Sequence, residues 1–141
     1  MTHGAFDLLH PGHVAHLEFA KKQGDRLIVA VSSDDMVRRR KGDARPVHPF
    51  AVRRRMLEAL ACVDECVGVP DVTNHPGADI VAVILRIKPD VFVSSYPNFV
   101  TEFGDELRAA GIRFVLSYYT DGISTTETIR KIVESHEKAA A

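Results

Sequence analysis

The chain lacks the features that mark secreted, membrane-embedded or polymer-coating proteins. It has only two cysteines, Cys62 and Cys66. A four-residue gap across a helix end suits a disulfide poorly, so both are expected as buried thiols rather than redox or metal groups. No apolar run reaches the length that crosses a bilayer, and no signal-peptide pattern opens the sequence. The expectation is a soluble cytoplasmic protein. Neither charge is in excess: 18 Lys and Arg stand against 19 Asp and Glu, a net charge of −1. That balance argues against bulk electrostatic binding of nucleic acid or an anionic membrane. What positive charge there is comes in clusters, Arg38-Arg39-Arg40-Lys41 and Arg53-Arg54-Arg55, which fit a small polyanion better than a duplex.

Hydrophobic residues at 45% and charged residues at 26% are ordinary for a globular chain, and 141 residues suffice for one core. The apolar pattern alternates between two periods. Residues 26–33, 66–69, 91–93 and 113–117 read as buried strands. Helices are expected from Pro11, from Asp34 to Arg40, over 50–60, 78–88 and 98–110, and from Thr125 to about 136. Phe50, Met56, Leu57 and Leu60 are the expected apolar face of the 50–60 helix. Residues 41–49, with Pro46, Pro49 and Gly42, read as a loop, and Asp121-Gly122 as a turn. Strands alternating with helices predict α/β architecture: a Rossmann-like, doubly wound parallel sheet in a single domain over residues 1–138. Residues 139–141 read as a frayed tail or linker remnant. Only Met1-Thr2-His3 precede the first glycine turn, so the first strand is either very short or begins outside this sequence. Ligands of such sheets sit off the carboxyl ends of the strands.

The stretch Gly4-Ala5-Phe6-Asp7-Leu8-Leu9-His10-Pro11-Gly12-His13 is the focus. It reads as a glycine-led turn running into a helix start at Pro11-Gly12. A helix start offers unpaired N–H groups and a positive dipole end, which suit phosphate. Imidazoles there donate to phosphate oxygens. Taken alone, the decapeptide also admits plainer readings: half of a metal site, or two core or solvated histidines. No Cys/His/Asp cluster of matching spacing follows, which counts against metal. The second group is Ser124-Thr125-Thr126, three hydroxyls at a helix start with Glu127 in the first turn. Alone it is an N-cap.

Together these two ends resemble the nucleotidyltransferases with His-x-Gly-His and Ile-Ser-Thr-Thr signatures. That group includes the glycerol-3-phosphate, ethanolamine-phosphate and choline-phosphate cytidylyltransferases and the adenylyltransferase domain acting on heptose 1-phosphate. The middle motifs Val31-Ser32-Ser33-Asp34-Asp35, Arg40-Lys41-Gly42, Arg45-Pro46-Val47, Arg53 and Val63-Asp64-Glu65 support the resemblance. It implies catalytic roles for His10, His13, Lys41 and Arg53. It places nucleotide over Gly4, Ala5, Phe6, Asp7 and Gly12, and against Ser124, Thr125 and Thr126. It also implies attack of an acceptor oxyanion on the α-phosphorus with release of pyrophosphate, aided by Mg²⁺ carried on the triphosphate rather than by protein ligands. Many relatives have Lys-Gly or Gly-Asp after the fourth strand. Here the run is Ser94-Ser95-Tyr96-Pro97-Asn98, and Tyr119 stands where glycerol-phosphate enzymes have arginine. Ser94, Tyr96, Asn98 and Tyr119 are therefore expected at the base or acceptor pocket.

The opening residues most resemble cytidylyltransferase domains fused to phosphoenolpyruvate phosphomutase in phosphonate antibiotic pathways such as fosfomycin's. The favoured expectation is CTP with 2-hydroxyethylphosphonate. The alternatives are ATP with a sugar phosphate such as heptose 1-phosphate, CTP with glycerol 3-phosphate, a non-catalytic nucleotide-binding module, or, more remotely, nucleic-acid binding through the arginine clusters. Relatives are often dimers, and the resemblance extends to this chain both that expectation and fusion to a further catalytic domain.

Overall fold

The computed structural model describes residues 1–117 and 122–140. Its elements alternate as the pattern requires: β1 (Thr2–Gly4), α1 (Pro11–Lys21), β2 (Ile28–Ser32), α2 (Asp34–Lys41), α3 (Phe50–Glu58), β3 (Glu65–Val69), α4 (Pro76–Ile87), β4 (Val91–Ser94), α5 (Pro97–Ala109), β5 (Arg113–Leu116) and α6 (Thr125–Ala140). The strands form one parallel sheet in the order β3-β2-β1-β4-β5. The chain leaves β1 toward one edge and returns to the other side of β1 with β4. The switch point therefore lies between these two strands, where the crevice of a doubly wound sheet opens.

Period-two alternation makes the two faces. Val29 and Val31 pack with Leu17 and Ala20 of α1 and Leu57 of α3, while Ala30 packs with Met36 of α2, Ile80 and Ile84 of α4 and Leu107 of α5. β1 is only three residues long, yet it pairs with strands on both sides. Its shortness follows from Gly4, where the chain turns up into the crevice. A Cβ there would come within 2.8 Å of the Phe6 ring, so only glycine lets that ring lie against the strand end.

Two local readings need correction. Met56 does not belong to the buried face of α3: it is 39% exposed, and the buried pair is Arg53 and Leu57, four residues apart on one helical row. An arginine takes a core position there because carbonyls and a carboxylate surround it. At the other end, α6 runs to Ala140, so residues 139–140 are helical rather than frayed. The remaining boundaries coincide with the expectation or shift by one or two residues. Asp121 of the expected turn lies outside the described residues.

Candidate active site

The cleft sits over the carboxyl ends of β1 and β4. The turn after β1 is its floor, the end of α2 one wall, the β4–α5 junction another, and the start of α6 the third. The turn is strained: Phe6 (φ 51°) and Leu8 (φ 52°) both adopt left-handed backbone, a conformation that costs a bulky residue on the order of 1–3 kcal/mol. Asp7, between them, holds it. Its buried carboxylate accepts from Arg45 Nε (2.7 Å), Val47 N (2.8 Å) and His48 N (3.0 Å). Burial alone would push this carboxyl up. The backbone donors of His48 and Val47, with Arg45, outweigh it and hold the pKa below 3.8. The Asp7 carbonyl accepts from the Thr125 hydroxyl at 2.6 Å. One residue thus ties the floor to the 42–49 loop and to the start of α6.

Arg53 performs the matching task from below. Its guanidinium donates to the carbonyls of His48, Ala5 and Ser32 and to Asp34 Oδ1. It is fully buried and does not line the cleft. The expected catalytic role for Arg53 therefore gives way to a positioning one: its donors are engaged by the backbone that shapes the floor. Ser94 is likewise turned inward, accepting from Tyr96 N at 3.0 Å, and Asn98 is exposed on α5, so neither lines the cleft. Tyr119 lies outside the described residues. The other expected residues, His10, His13, Lys41, Gly4, Ala5, Phe6, Asp7, Gly12, Ser124, Thr125, Thr126 and Tyr96, do meet there.

His10 caps α1. Its Nδ1 accepts from His13 N at 3.3 Å, which leaves the proton on Nε2 as a donor. The His10 and His13 rings stack, with centroids 3.7 Å apart. His13 Nδ1 is buried without a hydrogen-bond partner among the described residues. Pro11 has no N–H, so Gly12 supplies the free amide of the first turn. Across the cleft Ser124 caps α6, accepting from Glu127 N at 3.1 Å. The N-cap reading is thus correct for Ser124, but the same cap aims the helix start into the cleft.

The local field favours an anion. Burial first, then the charges of His10, Lys41 and His16, push His13 down to about 3, with Asp7 opposing. Burial and Lys41 lower His10. Burial, Arg45 and Arg40 lower Lys41, again against Asp7. Basic groups that depress one another in a half-buried cleft gain protonation when phosphate charge arrives.

Sequence reasoning missed His3, His16, Arg40, Ser95 and Ile123, which also line the cleft. His16 had a signal, since it follows His10 and His13 at the same three-residue step. Its role is fixed by a relay. The Thr2 hydroxyl donates to Val93 O (2.8 Å), so it must accept from His16 Nε2 (2.7 Å), and His16 Nδ1 then accepts from Ser117 Oγ (2.6 Å). The ring is neutral, its pKa lowered by burial to about 4. His3 had none: a three-residue strand carries too few side chains to show a period.

A site that gathers phosphate-directed groups from both ends of the chain, at the switch point of a parallel sheet, is that of a nucleotidyltransferase. The cytidylyltransferase-like family model matches residues 1–131, and the chain belongs to that family. Over 135 residues it is 44% identical to the bifunctional protein HldE of Shewanella piezotolerans, covering 94% of this chain and 27% of that protein. Over 140 residues it is 41% identical to the HldE of Salmonella dublin, covering 98% and 28%. Its structure is similar to the crystal structure of a lipopolysaccharide core biosynthesis protein from Thermoplasma volcanium, with TM-score 0.70 and 26% identity over 86% of this chain and 96% of that one.

These matches overturn the expectation of a CTP-dependent phosphonate enzyme with an antibiotic-pathway role, and they favour the adenylyltransferase alternative. The error has a physical source: the end motifs grip a triphosphate, which CTP and ATP share, so they do not distinguish the base. No cluster of three metal-ligating side chains occurs among the described residues, and Asp7 is already filled by N–H donors. Among the described residues no helix is long and apolar enough to cross a membrane.

Proposed function

We propose that this chain is an adenylyltransferase domain that joins AMP from ATP to a sugar phosphate such as heptose 1-phosphate, releasing pyrophosphate. The observation that carries the transfer chemistry is the meeting of His10, His13 and Lys41 with Ser124–Thr126 around one cleft. The likeness to HldE proteins and to a lipopolysaccharide core biosynthesis protein supports ATP and a sugar phosphate as substrates. The chain spans 27–28% of the length of those HldE relatives, so the proposal concerns this domain's reaction alone.

The acceptor's phosphate oxygen attacks the α-phosphorus in line. A new P–O bond forms as the bond to pyrophosphate breaks, and the leaving oxygen takes the bond's electron pair. The attacking oxyanion needs no base, so the protein's work is alignment and neutralisation of charge. The Gly12 amide and the start of α6 face the phosphates with positive dipole ends. His10 Nε2–H and the Lys41 ammonium donate toward oxygens that gain charge as pyrophosphate departs. Mg²⁺ riding on the triphosphate would neutralise part of its charge.

The test is pyrophosphate release with ATP and CTP, each against heptose 1-phosphate, glycerol 3-phosphate and 2-hydroxyethylphosphonate. ATP with heptose 1-phosphate is expected to lead the other pairs by about 100-fold or more in kcat/KM. A lead by any CTP pair, or release from none, overturns the proposal.

A further inference from the structure

The three arginines that end α2 have different fates. Arg38 pairs with Asp35, and Arg39 pairs with Asp71 at 2.8 Å and donates to Asn74 at 2.6 Å. Among the described residues Arg40 has no carboxylate partner. Its guanidinium carbon instead stands 5.7 Å from the centre of the Tyr96 ring, and both side chains line the cleft. A guanidinium held by an aromatic face is fixed through its flat surface and keeps its N–H edge free. That edge is a fork matched to two oxygens of one phosphate.

The charge balance of the reaction asks for such a group. Nucleotidyl transfer brings two polyanions together, a triphosphate and a phosphomonoester, which repel each other at reacting distance. Among the described lining residues, Lys41 and Arg40 are the two cationic side chains that no carboxylate neutralises. Lys41 stands by the stacked imidazoles and acts on both of them. Arg40, whose charge also reaches Lys41 and His3, stands against the β4–α5 rim, where Ser94-Ser95-Tyr96-Pro97 carries no charge of its own.

We infer that Arg40, braced by Tyr96, grips the acceptor's phosphate and selects acceptors that carry a phosphomonoester dianion. This rests on the nucleotidyl-transfer reading above. The experiment measures KM for heptose 1-phosphate and for ATP separately, in the wild type and in Arg40→Gln, Arg40→Lys and Tyr96→Ala. Arg40→Gln is expected to raise acceptor KM by about 10- to 100-fold while ATP KM stays within about threefold. Arg40→Lys restores part of the loss, because it returns the charge but not the fork. Tyr96→Ala removes the ring that braces the guanidinium and is expected to raise acceptor KM in the same direction as Arg40→Gln, by a smaller factor. A rise in ATP KM instead, or no change in either, overturns the inference. Titration calorimetry with heptose 1-phosphate separates the two claims. If the wild type turns over no substrate pair, the function proposal falls, while loss of heptose 1-phosphate binding in Arg40→Gln still upholds the Arg40 site. Equal binding by wild type and variant, or none by either, sinks it.

Discussion

Arg53→Lys distinguishes a residue that shapes the cleft from one that touches substrate. Arginine at this position satisfies four acceptors in and beside the core with one rigid fork: three carbonyls and the partly exposed Asp34. Lysine keeps the charge but, as a compact ammonium on a flexible stem, reaches about half of that set. About two acceptors are then stranded, each costing roughly 1–2 kcal/mol, for a loss of about 2–4 kcal/mol. With a urea slope of about 2 kcal/mol/M for a chain of this size, the unfolding midpoint falls by about 1–2 M. The Ala5 carbonyl and the start of α2 lose their common anchor, so nucleotide KM rises by about 10-fold at a temperature where the variant stays folded. The assay pairs urea unfolding followed by circular dichroism with steady-state pyrophosphate release. An unchanged midpoint combined with a kcat loss beyond about 100-fold would refute the reasoning and return Arg53 to the reacting groups.

Acid should weaken the fold in a defined window. His3 and His13 sit at about 3 and His16 at about 4 in the folded protein, against 6.5 when unfolded. The unfolded chain therefore binds protons first, and stability that is complete above pH 6.5 declines as the pH falls toward 4, with Asp7 adding its share only below 3.8. A urea midpoint that stays flat across that window contradicts the burial of these rings. Thr125→Val removes the buried hydroxyl that ties α6 to the Asp7 carbonyl; a loss of about 1–2 kcal/mol in thermal or urea unfolding is expected, and none would mean the tie is not formed in solution. Lys41→Ala should lower kcat/KM for nucleotide by about 100- to 1,000-fold while leaving the urea midpoint within about 0.3 M of wild type, since the ammonium faces the cleft rather than the core; a variant of full activity would remove Lys41 from the account.

The doubly wound sheet was legible because period-two strands and period-3.6 helices alternate along the whole chain. The two signature ends were legible because glycine, histidine and hydroxyl residues stand where helices begin. Arg53 misled because its residue type suits phosphate chemistry, while its partners are three carbonyls and Asp34 brought from separate segments, which no local pattern displays. Met56 and Arg53 exchanged places for the same cause, because a core arginine is tolerated only where carbonyls converge on it. Within Arg38-Arg39-Arg40 the sequence offers no means to tell the cleft-facing arginine from the two that pair with carboxylates, a choice made by the helix phase at the end of α2. The base and acceptor were the least legible, because a triphosphate grip says nothing of what hangs from either end.

The most direct test is a structure of the protein with a non-hydrolysable ATP analogue. The account predicts phosphate oxygens within hydrogen-bonding distance of the Gly12 amide and His10 on one side and of the Ser124–Thr126 helix start on the other, in the same complex. A triphosphate held by only one of these groups, or bound away from the ends of β1 and β4, would contradict it.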